Sequence, residues 1–386
     1  MKLKIRFVGD ICLIGDIQEK ILSSDSKKLF YCLEEPDSIL VGNLESPISI
    51  GGVSKKGKFA CFQSNPEIID SLLDVDMLSL SNNHITDFGH ESAFQTKKIL
   101  EENGIKNVGY GKNSEESLEL SIIEKNGVKV GVGTFSCLTT NGFNIATSDV
   151  PGVATYSLQL IREIIPKWKS KVDVLFVFFH WGLENNHSIV EDQMIVAHAC
   201  IDAGADSIVG THGHVIQPYE IYNGKPIFYG LGNLVFSDFD YEYMDASGKN
   251  IKGRYIQKKT NLESLSPVFT IDVNDSNCKV KVDRVDSYKF ENDKLEKINL
   301  QGLSVDVDEL NYQISGYFSR SAYMRNKKKN RGEIDYLSEF RYPNVVYFYN
   351  SNIIRRKSKI VLVWLDALLL FSRIKNKVLF KLNVKV

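Results

Sequence analysis

The sequence has no closely spaced cysteine pair, no excess of either charge and no apolar run long enough to span a bilayer, and each absence removes a class of protein. Its six cysteines, Cys12, Cys32, Cys61, Cys137, Cys200 and Cys278, are scattered without a CxxC. That argues against a disulfide framework and for free thiols in a reducing compartment. A formal net charge of -1 gives no global attraction to nucleic acid, so no nucleic-acid partner is expected. The start MKLKIRFVGD passes from two lysines into a strand-like run with no long apolar core or small-residue cleavage site. No signal peptide is read there, and a cytoplasmic location is expected, with contact at the inner membrane face left open. Internal repeats and low-complexity tracts are also missing. What is present, 386 residues with 43% hydrophobic and 25% charged, suffices for one large globular domain and an appendage.

Short apolar runs at Leu3–Val8, Ser38–Val41, Asp76–Leu80, Val128–Thr134, Val172–Phe179 and Ser207–Val209 have strand length and strand composition. Helix-period stretches at Glu91–Asn103, Leu158–Ser170 and Ile189–Ala203 lie among them, the first and last stopping at Gly104 and Gly204. This alternation predicts an α/β core with helix-covered sheets. After Pro218–Asn233 the pattern turns to polar loop, then to antiparallel strands at Pro267–Val273 and Lys279–Tyr288.

The polar residues fall where the strands end. Leu3–Val8 runs into Asp10, Ile39–Val41 into Asn43 and Glu45, and Met77–Leu80 into Asn82, Asn83 and His84. Val174–Phe179 runs into His180 and Trp181, and Ile208–Val209 into His212 and His214. In α/β sheets ligands bind beyond the carboxyl ends of strands, where residues distant in sequence converge. Asp, Glu, Asn and His together make an oxygen and nitrogen donor set suited to Zn, Mn, Fe or Mg. Singly, each residue has an ordinary explanation: Asp10 and Glu45 as loop carboxylates, Asn83-His84 as a turn dipeptide, His180 as a satisfied core histidine. Recurrence at five strand ends argues for one site. Period two in an extended segment would put His212 and His214 on one side.

In chain order, GDICL (Gly9–Leu13), NLESP (Asn43–Pro47), SNNHITDFG (Ser81–Gly89), HWGLE (His180–Glu184), GTHGHVIQP (Gly210–Pro218) and YGLGNLVF (Tyr229–Phe236) resemble the CapA family. This family holds capsule and poly-gamma-glutamate biosynthesis proteins and is similar to calcineurin-like metallophosphoesterases. The resemblance implies a four-layer α/β/β/α sandwich, assigned to residues 1–290; outside the resemblance, residues 291–386 are expected to form a helical C-terminal extension. Carried over residue by residue, it implies Asp10 and His214 at a first metal, Glu45 as the bridge, and Asn83, His180 and His212 at a second, for one or two divalent ions. His84 takes the place of the general acid that protonates the leaving oxygen. Glu184, Gln217 and Asn233 fall in outer contacts with ligands or substrate, and Asp87 either caps the next helix or orients His84. Two positions depart from the phosphoesterase pattern: Cys12 where a histidine is usual and Glu45 where an aspartate is usual. Cys12 reads either as a thiolate ligand beside Asp10 or as a buried inert thiol.

The implied function is metal-dependent hydrolysis of a phosphoester or polyglutamate-like chain in capsule or surface polymer biosynthesis, with an anionic polymer or phosphoester as substrate and capsule synthesis proteins as partners. The alternative is a non-catalytic subunit that binds the polymer or a synthetase. Beyond the resemblance, a helix is expected from Asp306 to Asn326, and a basic segment follows over 355–386 around the apolar Ile360–Phe371. That run is shorter than the roughly 20 residues a spanning helix needs. It reads either as an interfacial helix held by anionic lipid or as one packed on the core or a partner.

Overall fold

The computed structural model describes residues 2–298 apart from 25–28, 56–57, 59, 142–143, 188, 245–247, 259–261, 273–277 and 292–293. Everything described belongs to one compact unit within Met1–Asn326. The helix expected over 306–326 and the basic segment 355–386 lie outside the described residues.

In chain order the elements are β1 (Lys2–Cys12), α1 (Gly15–Ser23), β2 (Ser38–Leu44), β3 (Met77–Ser79), α2 (His90–Glu102), β4 (Lys106–Val108), β5 (Tyr110–Gly111), α3 (Ser114–Ser117), β6 (Ser121–Lys125) and β7 (Val128–Ser136). There follow α4 (Leu138–Asn141), β8 (Gly152–Val153), α5 (Leu158–Lys169), β9 (Val174–His180), α6 (Glu191–Asp202), β10 (Ser207–Thr211), β11 (Tyr219–Tyr222) and β12 (Lys225–Phe228). The last are β13 (Asn233–Phe236), β14 (Phe239–Met244), β15 (Asn250–Tyr255), β16 (Glu263–Asp272), β17 (Val280–Glu291) and β18 (Lys294–Ile298).

Two large sheets organise them. One runs β18-β17-β16-β1-β2-β3-β4, with β13 also paired to β1; the other runs β11-β12-β10-β9-β7-β6. Strand β9 explains how they stack. Its residues Val174, Phe176 and Phe178 join Phe7, Val41, Met77 and Val209 in a core between the sheets. The alternate residues Leu175, Val177 and Phe179 pack against Ile161, Ile165 and Trp168 of α5 and Val196, Ala197 and Cys200 of α6. A seven-residue strand that is apolar from Val174 to Phe179 and closes on His180 is thus buried on both faces, as parallel strands between helices and a second sheet require. On the far side, Ile17 and Ile21 of α1 and Ala93 and Leu100 of α2 cover Leu40, Leu44 and Leu78. The result is the expected four-layer α/β/β/α sandwich. Phe7 and Phe176 meet at 4.8 Å between ring centroids in its central layer, and truncating either to alanine removes about 3–5 kcal/mol by transfer and cavity terms.

The three expected helices are shifted by at most two residues at either end. The segment read as polar loop after Asn233 is instead β13 and the antiparallel hairpin β14–β15. Its solvent-facing polar residues conceal the alternation of Phe239, Tyr241 and Tyr243. No helix among the described residues is long and apolar enough to cross a membrane.

Candidate metal centre

Strands β1, β2 and β3 are parallel in one sheet, as are β7, β9 and β10 in the other, so the carboxyl end of each lies with those of its neighbours. Asp10 sits in register with Asn43 of β2 and Asn233 of β13. Asn43 Nδ2 donates to Asp10 Oδ1 at 2.7 Å, and the backbone N–H of His212 donates to Oδ2 at 3.1 Å. The second of these bonds ties the carboxyl edge of one sheet to that of the other. Close approach here depends on glycine: a Cβ on Gly9 would lie 1.9 Å from the carbonyl oxygen of Gly232, which itself has φ +75°.

The polar residues form two adjoining groups. In the first, one donor atom each from Asp10, Glu45 and His214 lies within 4.8 Å of the others. Asn233 Oδ1 is 2.9 Å from Nδ1 of His214 and orients that ring. In the second, Asn83 Oδ1 is 2.8 Å from His180 Nε2, which is 3.1 Å from His212 Nδ1. Thr211 Oγ1 stands 3.1 Å from the other ring nitrogen of His180. His212 and His214 are not in extended backbone as the period-two argument assumed; their φ angles are 86° and 56°. Left-handed backbone at two non-glycine residues costs free energy and is held by surrounding contacts. It turns one ring to His180 and the other to Glu45, with 6.0 Å between their centroids.

His84 adjoins the first group, its Nε2 3.9 Å from Glu45 Oε1. Its Nδ1 is 2.6 Å from Asp87 Oδ2, while Phe62 stacks on the ring at 3.8 Å. Asp87 therefore orients His84, and the N-cap of α2 is Gly89, with no side-chain cap. Asn82 builds the turn, its Oδ1 accepting from the backbone N–H groups of His84 and Ile85. Gln217 accepts from Gln193 and donates to the Asn186 carbonyl, and thus ties two loops together. Glu184 is solvent-exposed. Trp181 packs, stacked on Phe179 at 4.2 Å.

Cys12 lies elsewhere. A register irregularity between Asp10 and Ile11 breaks the alternation of β1, and Cys12 joins Ile14, Phe62, Phe236 and Phe239 in an apolar cluster. Burial, then Glu45, pushes its thiol well above the usual value, so it is an inert hydrophobe rather than a thiolate.

Burial dominates the electrostatics. It raises Asp10, and it raises Glu45 further, with Asp10 adding to the effect. Burial also lowers His180 well below the ordinary imidazole value and His212 to about 4, leaving both neutral. His214 goes the other way, to about 9: burial opposes its charge, but Glu45 and Asp10 outweigh it. Both carboxylate oxygens of Glu45 and Nε2 of His212 are buried without a hydrogen-bond partner among the described residues. The charge that faces Glu45 is His214, whose Nε2 lies 3.7 Å from Glu45 Oε1, beyond hydrogen-bond reach, and two buried carboxylates side by side are costly unless a cation neutralises them. Two carboxylates, an amide oxygen, the neutral imidazoles of His180 and His212, and His214 once it gives up its proton fit a divalent ion in ligand type.

A family model described as bacterial capsule synthesis protein PGA_cap matches residues 4–238, a span containing Asp10, Glu45, Asn83, His84, His180, His212 and His214. The chain belongs to this family. Relatives of this PGA_cap chain include the PGA biosynthesis protein CapA of Bacillus subtilis, 33% identical over 242 residues, 61% of this chain and 63% of that protein. The capsule biosynthesis protein CapA of Bacillus anthracis is 30% identical over 247 residues, 61% of this chain and 60% of that one. The chain thus spans about three-fifths of the length of these curated relatives. Among solved structures, the NAD nucleotidase NadN of Haemophilus influenzae aligns with a TM-score of 0.42 at 10% identity, over 82% of this chain and 55% of that one.

Asn43, Thr211, Phe62 and Lys58 belong to the centre but were not singled out as site residues from the sequence. Asn43 sits in the NLESP motif and had a readable signal there. Lys58 and Phe62 come from an irregular segment and had none.

Proposed function

We propose that this capsule synthesis family member is a metal-dependent hydrolase of a phosphoester or a polyglutamate-like chain, acting in capsule or surface polymer biosynthesis. The observation that carries this reading is the orphaned carboxylate of Glu45 amid Asp10 and His214, next to the converging donors of Asn83, His180 and His212. Asp10, Glu45 and His214 would hold one ion and Asn83, His180 and His212 a second. Such ions supply Lewis-acid polarisation and charge neutralisation at a phosphoryl or carbonyl oxygen.

The chain's own residues do the rest. Asp87 accepts the Nδ1 proton of His84 and fixes the ring with Nε2 toward Glu45. From there Nε2 carries a proton to the leaving oxygen once the ring has been charged. Phe62 on the ring face and Phe236 edge-on to His214 at 5.3 Å limit water at both imidazoles. A second reading, a polymer- or synthetase-binding subunit without turnover, draws on Cys12, which gives the first group no fourth protein ligand.

The test is metal content of the purified protein, followed by hydrolysis of a generic phosphodiester, a phosphomonoester and a γ-glutamyl oligomer with Mn or Zn. His84→Ala is expected to keep the metal and lose about 10²–10⁴ in kcat, and His212→Ala to lose metal and activity together. Absence of bound metal defeats the proposal. Bound metal with no turnover on any of the three substrates transfers support to the binding subunit.

A further inference from the structure

The irregular segment between β2 and β3 returns across the site and fastens onto the Asn83–Asp87 turn. The Lys55 backbone N–H donates to the Asp87 carbonyl at 2.8 Å, and the Phe62 N–H donates to Asp87 Oδ2 at 2.8 Å. Between them, Lys58 Nζ donates to the Asn83 carbonyl at 2.8 Å and to Asp87 Oδ1 at 2.5 Å, and lies 3.1 Å from His84 Nδ1. One ammonium thus touches Asn83 just before the proposed proton donor, Asp87 three residues after it, and the donor itself. An ionised carboxylate only accepts, and Oδ2 of Asp87 is 2.6 Å from Nδ1 of His84, so the Nδ1 proton goes to Asp87. Lys58 therefore serves His84 through Asn83 and Asp87 rather than by a hydrogen bond to the ring. The Asp87 side chain is fully buried, and among the described residues Lys58 is the donor to its Oδ1.

We propose that Lys58 is a positioning residue for His84: it pins the Asp87 carboxylate and the Asn83 carbonyl so that Nδ1–H stays on Asp87 and Nε2 stays turned to Glu45. The catalytic half of this inference rests on the hydrolase reading above, whereas the positional half does not. A long side chain anchored from an irregular segment makes the proton donor conditional on that segment being seated. Substitutions that unseat it would silence His84 while leaving the ligand residues in place.

Two measurements on the full-length, zinc-loaded protein test this. In a kinetic cycle, Lys58→Met is expected to lower kcat about 10–100-fold, the range for partners that orient a functional group, with KM and metal content unchanged. In the His84→Ala background the same substitution is expected to cost nothing further, because groups acting as a unit are not additive. An equal loss in both backgrounds overturns the proposal, since general structural damage would add. The second measurement is the long-range 1H–15N spectrum of the His84 imidazole, expected to report the Nδ1–H form in wild type and a mixture of forms in Lys58→Met. An unchanged His84 spectrum likewise overturns it. If wild type turns over no substrate, the hydrolase reading fails by itself and the imidazole spectrum decides the role of Lys58 alone. Should Lys58→Met melt below the assay temperature, Lys58→Arg, which keeps the charge but changes the donor geometry, takes its place in both experiments with the same expectations.

Discussion

Oδ1 of Asn83 lies 2.8 Å from Nε2 of His180, although 97 positions separate the two residues in the chain. The first follows β3 in one sheet and the second ends β9 in the other, so the contact exists only because the two sheets stack with their carboxyl ends together. With His212 Nδ1 3.1 Å from the same nitrogen, three donors point at one place.

Metal removal should therefore be resolvable residue by residue. Asn83→Ala, His180→Ala and His212→Ala are each expected to weaken one site at least about 10-fold. Elemental analysis after dialysis should then find one equivalent fewer than in wild type. A hundredfold excess of ion over Kd should add about 2.7 kcal/mol to wild-type stability. An ion that leaves the melting temperature of wild type unmoved would count against the site.

The metal-free protein should lose stability as pH rises. His214 is raised from 6.5 to about 9; a basic group shifted upward contributes stability that is complete below pH 6.5 and lost as pH climbs through about 9. Glu45, pushed well above 4.5 by burial and then by Asp10, acts in the same direction, because ionising it in the folded state is the costly event. Melting temperature without metal should fall between pH 6.5 and 9 in wild type and fall less in Glu45→Gln. Added metal should flatten the slope, since ligands bind deprotonated. Calorimetry across that range checks all three, and parallel slopes for wild type and Glu45→Gln would refute the assignment.

Cys12 should prove structural. Placing a hydroxyl among Ile14, Phe62 and Phe236 by Cys12→Ser is expected to cost about 1–3 kcal/mol while metal content stays the same. Native Cys12 should also resist a thiol reagent that labels it after unfolding. Loss of a bound ion in Cys12→Ser would instead make the thiolate a ligand.

At the other end of β1, Glu35 is held down to about 2: burial acts against this, but hydrogen bonds from Arg284, Lys4 and Arg6 outweigh it. Arg284 Nη2 donates to it at 2.7 Å and Arg6 Nη2 at 3.1 Å. A lowered carboxylate contributes stability above pH 4.5 that is lost as pH falls through about 2. Because the group is partly exposed, screening reduces its worth to about 1 kcal/mol. Glu35→Gln should lower the urea midpoint at neutral pH, and the gap from wild type should close with acidification below pH 4.5. A gap that stays constant with pH would mean that the loss is packing rather than charge.

By itself the sequence determined the layers and most of the donors. A run such as Val174–Phe179, apolar throughout, has to be covered on both faces, and Gly104 and Gly204 stop helices wherever those helices pack. The polar residues at strand ends were legible for the same reason, since they interrupt apolar runs. Tertiary structure alone decided how those donors divide. A register irregularity after Asp10 sends Cys12 into an apolar cluster, and left-handed backbone at His212 and His214 sends neighbouring rings to different groups. Both override the period of two on which a linear reading depends. Lys58 lies in an irregular segment with no period at all, and its three contacts with the Asn83–Asp87 turn come from how the folded chain returns over His84.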